Sequence, residues 1–162
     1  PAGQYKVVIK KGRDTFEKTI NVNYKNSAGL NQEDRKFQNE TVMKLFNMTE
    51  ELAYMVYVID ELILNENISD QMKSNLNNLK TSLVITTGDN YVGAAKKQLR
   101  EKMSDLYAKV ASSYDKPSAN ELENLELIEK EMKSANKSYG KIIQKISSEL
   151  LPKKSFDDFI NE

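Results

Sequence analysis

Between Asn31 and Asn65 apolar residues return every three or four positions, at Leu45, Phe46, Met48, Leu52, Met55, Val56, Ile59, Leu62 and Ile63, and no Gly or Pro interrupts them. That period predicts one amphipathic helix of about 35 residues, roughly 50 Å long at the helical rise. Leu30 and Phe37, seven apart, extend the stripe toward Leu45, Leu52 and Ile59, with further lines through Met48, Met55 and Leu62 and through Val56 and Ile63. A stripe three positions wide per heptad suits the core of a globular bundle better than the narrower seam of a coiled coil. Asn31 stands where an N-cap belongs, and Glu33 and Asp34 in the first turn favour the helix dipole.

Ahead of this helix the period is two. Tyr5, Val7 and Ile9 alternate with Lys6 and Lys10, and Phe16, Lys18, Ile20, Val22 and Tyr24 alternate with Thr15, Glu17, Thr19, Asn21 and Asn23. Lys11-Gly12-Arg13-Asp14 lies between the two runs and offers Gly for a positive φ, so residues 4–24 predict a β-hairpin. An isolated hairpin is marginal in water. Two expectations follow: the hairpin packs on the helices, and its sheet continues in residues upstream of Pro1, the chain being a piece of something longer. Lys25 to Gly29 reads as a polar linker.

After the long helix, Asn65 to Ile68 breaks the pattern and Ser69 is placed to cap a second helix through Met72, Leu76, Leu79, Leu83 and Val84, ending near Ile85. Thr86 to Asn90 carries turn chemistry. A third helix is predicted over roughly 90–114, with Val92, Ala95, Leu99, Met103, Leu106, Val110 and Tyr114 on one face. Asp115-Lys116-Pro117 ends it, and Ser118-x-x-Glu121 is a capping box for a fourth helix over about 119–150, carrying Leu122, Leu125, Ile128, Met132, Tyr139, Ile142, Ile143, Ile146 and Leu150. Its first half is acidic and its second half basic, matching the dipole, with Glu126–Lys130 and Glu129–Lys133 as i,i+4 pairs. Pro152 stops it, and Ser155 to Ile160 form a closing turn whose Phe156, Phe159 and Ile160 plug one end. The pattern therefore predicts a mainly α protein: a hairpin over 1–25, the end of one module, then an antiparallel four-helix bundle over 30–162. The second helix spans only half of the first. Phe37, Val42, Leu45 and Phe46 then need another cover, for which Phe16, Ile20 and Val22 of the hairpin are the expected source.

Composition narrows the chemistry. The 162 residues hold 24 Lys plus Arg against 24 Asp plus Glu, a net charge of zero, which gives no electrostatic case for nucleic acid or an anionic membrane as partner. There is no Cys and no His, which removes thiol nucleophiles, disulfides, the commonest general base and the commonest transition-metal ligand. Absent Cys leaves the compartment open. No apolar run approaches the length of a membrane span. No catalytic, cofactor-binding or metal-binding residue is assigned, and no cofactor is expected.

Several local motifs have a structural reading beside a functional one. Adjacent carboxylates at Glu50-Glu51 and Asp157-Asp158 point in different directions on a helix and read as solvated surface, whereas acid–base work needs carboxyls converging on a pocket. Tyr54 and Tyr57, three apart beside the stripe, form the candidate contact patch, an aromatic surface for a protein or a sugar, against the plainer reading of core-edge packing. Gly88-Asp89-Asn90 with Tyr91 and Gly93 lacks the spaced acids of a calcium loop and reads as a turn. Lys96, Lys97, Arg100 and Lys102 make a small basic face diluted by Glu101 and Asp105, and Arg35 and Arg100 both read as exposed.

Pro1-Ala2-Gly3-Gln4-Tyr5-Lys6-Val7-Val8-Ile9, followed by Gly12, Phe16, Ile20 and Val22, resembles the last two strands of a small immunoglobulin-like module found in bacterial secreted proteins. A leucine-rich helical region directly after such strands is similar to the C-terminal tail of Bacteroidota proteins that carry a sortilin-like β-propeller, often described as BNR-repeat or glycosyl-hydrolase-like. The resemblance implies an extracytoplasmic, non-catalytic accessory module whose partners are the upstream domains of its parent, another protein or a second copy of itself. Any glycan chemistry would lie in the propeller. The alternative from another class is a helical ligand-binding domain or small all-α enzyme that works with Arg and carboxylates.

Overall fold

A computed structural model of the chain describes residues 2–23, 31–85 and 96–161. It is mainly helical, with a two-stranded antiparallel hairpin ahead of the helices. Strands β1 (Gly3–Lys11) and β2 (Asp14–Val22) pair from Gly3 opposite Val22 to Lys11 opposite Asp14. Gly12 takes a φ of 62° while Arg13 does not go positive, the pattern of a two-residue II′ turn, which only a residue without Cβ adopts cheaply. The register puts Tyr5, Val7, Ile9, Phe16, Ile20 and Val22 on one face and Gln4, Lys6, Val8, Lys10, Thr15, Glu17, Thr19 and Asn21 on the other. Lys6 and Glu17 pair at 2.7 Å on the polar face.

Helix α1 (Gln32–Leu64) is followed by α2 (Asp70–Leu83), α3 (Leu99–Ser112), α4 (Ala119–Ile143) and a short α5 (Phe156–Ile160). Three N-caps stand where the sequence puts them: the side chains of Asn31, Ser69 and Ser118 accept from the N–H groups of Glu33, Met72 and Glu121. Glu121 completes the box by accepting from the Ser118 N–H at 2.8 Å. The start of α3 carries a device the sequence reading passed over, with the Glu101 carboxylate accepting the Gln98 N–H at 3.2 Å. Val92 and Ala95, the Thr86 to Asn90 loop, Gly88 to Gly93 and the linker from Lys25 lie outside the described residues.

The long helix dictates where the others go. Asp60 pairs with Lys80 of α2, Thr49 reaches Met103 of α3, and Gln38 reaches Val110 of α3. Numbers fall along α1 as they rise along α3, so α3 runs antiparallel to α1; α2 begins just past the end of α1 and brings Leu79 and Leu83 beside Leu99 at the start of α3, so it too runs back along α1. They follow one another along it, α2 on the C-terminal half and α3 on the N-terminal half. Helix α4 returns over both: Lys102 pairs with Glu131 at 2.7 Å, and Leu79 and Leu83 of α2 face Ser134, Ala135 and Ser138. Lys44 and Glu129 tie α4 directly to α1. The Lys44 tie draws Glu129 to α1 rather than to Lys133 one turn along α4.

One core joins these helices, with Leu45, Leu52, Ile59, Leu62, Leu76, Leu83, Met103 and Val110 fully buried and Leu125, Ile128 and Met132 closing it from α4. Two expectations are corrected here. The buried line of α1 continues from Leu45 to Gln38, seven residues earlier, and not to Phe37, which lies one position off the line and is exposed. And it is α3, not the hairpin, that covers Leu45. Phe16, Ile20 and Val22 remain exposed, as do Phe37 and Phe46. Helix α4 also ends earlier than predicted. After Gln144 the bonds tighten to i→i−3, Lys145 to Ile142 and Ile146 to Ile143, and a 3₁₀ turn at Ser148–Leu150 folds Ile146, Leu150 and Leu151 back against the core.

Truncating a side chain at the shared core should be expensive. Leu45→Ala, Ile59→Ala and Met103→Ala are each expected to lower unfolding free energy by about 2–5 kcal/mol. Leu64→Ala, at a residue 77% exposed, should stay within about 0.5 kcal/mol. Urea denaturation followed by circular dichroism decides it, and equal losses at all four positions would contradict this core.

Candidate functional site

Tyr54 and Tyr57 sit one turn apart on α1 with ring centroids 6.0 Å apart. What lies over them is the end of the chain. Ser155 starts α5 by accepting the Asp158 N–H, while the Asp158 carboxylate accepts from the Ser155 hydroxyl at 2.6 Å and its N–H at 3.3 Å. Those bonds hold the Asp158 carboxyl below its ordinary pKa and fix the first turn of a helix too short to persist alone. Phe156 and Phe159 thereby meet Tyr54 edge-on at 5.5 and 5.6 Å, and Phe159 stacks on Tyr57 at 5.2 Å. The Tyr54 hydroxyl donates to the Lys154 carbonyl at 3.0 Å, and the Lys154 ammonium lies 5.4 Å from the Phe159 ring centroid. The sequence-predicted patch is thus half-buried and occupied by α5, which packs on the side of α1 and not across an end of the helices.

Tyr139 of α4 completes the cluster. With Glu51, Tyr54, Met55, Asn136 and Phe156 it lines an open cavity of about 320 Å³. Burial, with a smaller contribution from neighbouring Tyr54, pushes its hydroxyl up to about 12. A phenol held in its neutral form this firmly donates or accepts a hydrogen bond but does not act as a base near neutral pH.

The arginines divide. Arg100 is exposed and pairs with Glu101 at 2.7 Å. Arg35, expected to be exposed, is half-buried instead: its Nη1 donates to Gln38 at 3.0 Å and to the Ser113 carbonyl at 3.1 Å, and its guanidinium lies 4.8 Å from the Tyr114 ring centroid. Beside it the buried Gln38 donates to the Val110 carbonyl at 2.7 Å. Both side chains donate to carbonyls at the C-terminal end of α3, Gln38 to Val110, which also accepts the Ser113 N–H at 3.3 Å, and Arg35 to Ser113, where the helix dipole favours a cation. This docking is structural. The signal for it was the heptad spacing of Gln38 from Leu45, which places a polar residue on a buried line.

Between α3 and α4 an open groove of about 310 Å³ is lined by Lys97, Lys102, Asp105, Leu106, Lys109, Asn124, Leu127, Ile128 and Glu131. Lys97 pairs with Asp105 and Lys102 with Glu131, so the basic face read from Lys96 to Lys102 is matched by acids. Among the described residues no three His, Cys, Asp or Glu side chains converge as metal ligands, and no helix is long and apolar enough to cross a membrane. No family model matches the chain, nor does any curated protein or any solved structure.

Tyr139 carries a pH signature. Its folded pKa of about 12 lies above the ordinary 10.0, so between these values the unfolded chain ionises while the folded one keeps its proton. Stability from this residue is present in full below pH 10 and falls as pH rises toward 12. Comparing denaturation midpoints of wild type and Tyr139→Phe from pH 8 to 12 should show the variant losing less stability above pH 10. Parallel curves would contradict the burial of this hydroxyl.

Proposed function

We propose that this chain is a non-catalytic interaction module that joins a helical domain to a larger β-rich protein. The observation that carries the reading is an asymmetry in burial. The helices close a core of their own, whereas all nine residues of each strand are exposed, including six apolar side chains on one face. A sheet face of this kind in water is an interaction surface. We divide the chain accordingly into a hairpin at 1–25, the closing part of an immunoglobulin-like module, and helices at 30–162. In the helical part we read an antiparallel four-helix bundle in which α2 and α3 share one column between α1 and α4.

The resemblance of the strands extends this reading to the C-terminus of an exported bacterial β-propeller protein of sortilin-like or glycosidase-like type, in an extracytoplasmic compartment. The sequence and geometry support the non-catalytic part by what the polar groups do. Arg35 and Gln38 serve α3, Asp158 and Glu121 serve helix caps, and Lys97 and Lys102 of the α3–α4 groove are paired. The alternative of a small all-α enzyme would need an arginine facing a cavity, and Arg35 faces helix carbonyls and Tyr114 instead. The purified chain should therefore release no product from chromogenic α- and β-glycosides or from polymeric glycans. Turnover that survives repurification would overturn the proposal.

A further inference from the structure

The hairpin has two edges, and they differ chemically. In a hairpin closed by a two-residue turn, the residues flanking the turn exchange both hydrogen bonds, and bonded pairs then alternate along the ladder. Lys11 and Asp14 flank this turn. It follows that Gly3, Tyr5, Val7, Ile9 and Lys11 direct their backbone groups toward β2, while Gln4, Lys6, Val8 and Lys10 direct theirs outward at the free edge of β1. On β2 the outward set is Thr15, Glu17, Thr19 and Asn21. The sheet contains only these two strands among the described residues.

The side chains sort with the edges. Strand β1 carries Lys6, Lys10 and Lys11 and no acid, whereas β2 carries Asp14 and Glu17 beside Lys18. Glu17 and Lys6 pair at 2.7 Å, so both are committed inside the hairpin and Lys10 gives the polar face its net positive charge. The outer row of β1 therefore offers unbonded backbone groups and a positive polar face. Its other face offers Tyr5, Val7 and Ile9. A lysine-bearing edge is also a common guard against indiscriminate pairing, because a strand that brings lysines or no charge gains nothing from it.

We propose that β1 is the edge through which the chain joins its β-rich neighbour, and that the occupant is an extended strand with alternating apolar and acidic residues, an acid facing Lys10. Main-chain bonds from Gln4, Lys6, Val8 and Lys10 provide the affinity, and opposite charges across the new pair select the partner and register. The inference rests on the reading of the hairpin as part of a larger sheet. Glycan turnover by the purified chain would overturn the non-catalytic function and leave this edge untouched, whereas the experiment below bears on the edge alone.

The test is amide exchange by NMR on the 162-residue chain, with two synthetic nine-residue peptides that match the length of β1, one alternating valine with glutamate and the other valine with lysine. At ten times its Kd the glutamate peptide should slow exchange at Gln4, Lys6, Val8 and Lys10 about tenfold, and the lysine peptide should not. Val8→Pro removes an outward N–H and no bond to β2. It should abolish the effect while Tyr5, Val7 and Ile9 remain protected. Lys10→Glu, which spares the Lys6–Glu17 pair, should narrow the preference between the peptides by about two- to fivefold. Protection at Thr15, Glu17, Thr19 and Asn21 instead would assign the edge to β2 and overturn the proposal. So would equal binding of both peptides, no protection with either, or protection without peptide in a chain of doubled mass, which would make the occupant a second copy.

Discussion

A helix of 33 residues, about 50 Å long, with a buried line from Gln38 to Leu62 must be covered along its length, and no other helix of this chain does so alone. Helices α2 and α3 have 14 residues each, about 21 Å. Laid in succession they cover what either would leave half-open. That constraint explains the direction of α3, which continues the way α2 runs, and it explains why α4 has to be long: its 25 residues must reach both. It also explains where polar groups enter the interior. The C-terminal end of α3 stops against the first turns of α1, where Gln38 donates to the Val110 carbonyl beside the Ser113 N–H and Arg35 donates to the Ser113 carbonyl. A leucine at 38 would remove one of the two donors to the Val110 carbonyl and leave it with the Ser113 N–H.

The elements that were legible in the sequence are those whose signal is local. The strand alternation, the Gly12 turn, and the caps at Asn31, Ser69 and Ser118 depend on residues within a few positions of one another, and each stands where the pattern puts it. What the pattern hid was tertiary. The stripe reached Leu45 correctly, but its continuation to Phe37 failed by one residue, about 100° of helical rotation. Bulk apolar character suggested Phe37, while the heptad required Gln38. The cover for Leu45 was also misassigned, because sequence proximity favoured the hairpin and gave no hint that α3 would be laid end to end with α2. Tyr54 and Tyr57 were visible as a pair. That Phe156 and Phe159 come back to them across a hundred residues was not, although the equal spacing of three in both pairs is what lets the rings interleave.

The two aromatic and apolar surfaces of the chain have different standing for the same physical reason. At Tyr54 and Tyr57 the chain supplies its own cover, and a five-residue helix suffices because four rings and one backbone hydrogen bond act together. The hairpin's apolar face stays exposed, as do Phe37, Met43 and Phe46 of α1. Two strands cannot bury a face by themselves. The helical part closes its core without the hairpin, whose apolar face the helices leave uncovered. On the proposed reading the hairpin is the working surface of the chain, and the long helix is the scaffold against which the other helices are laid.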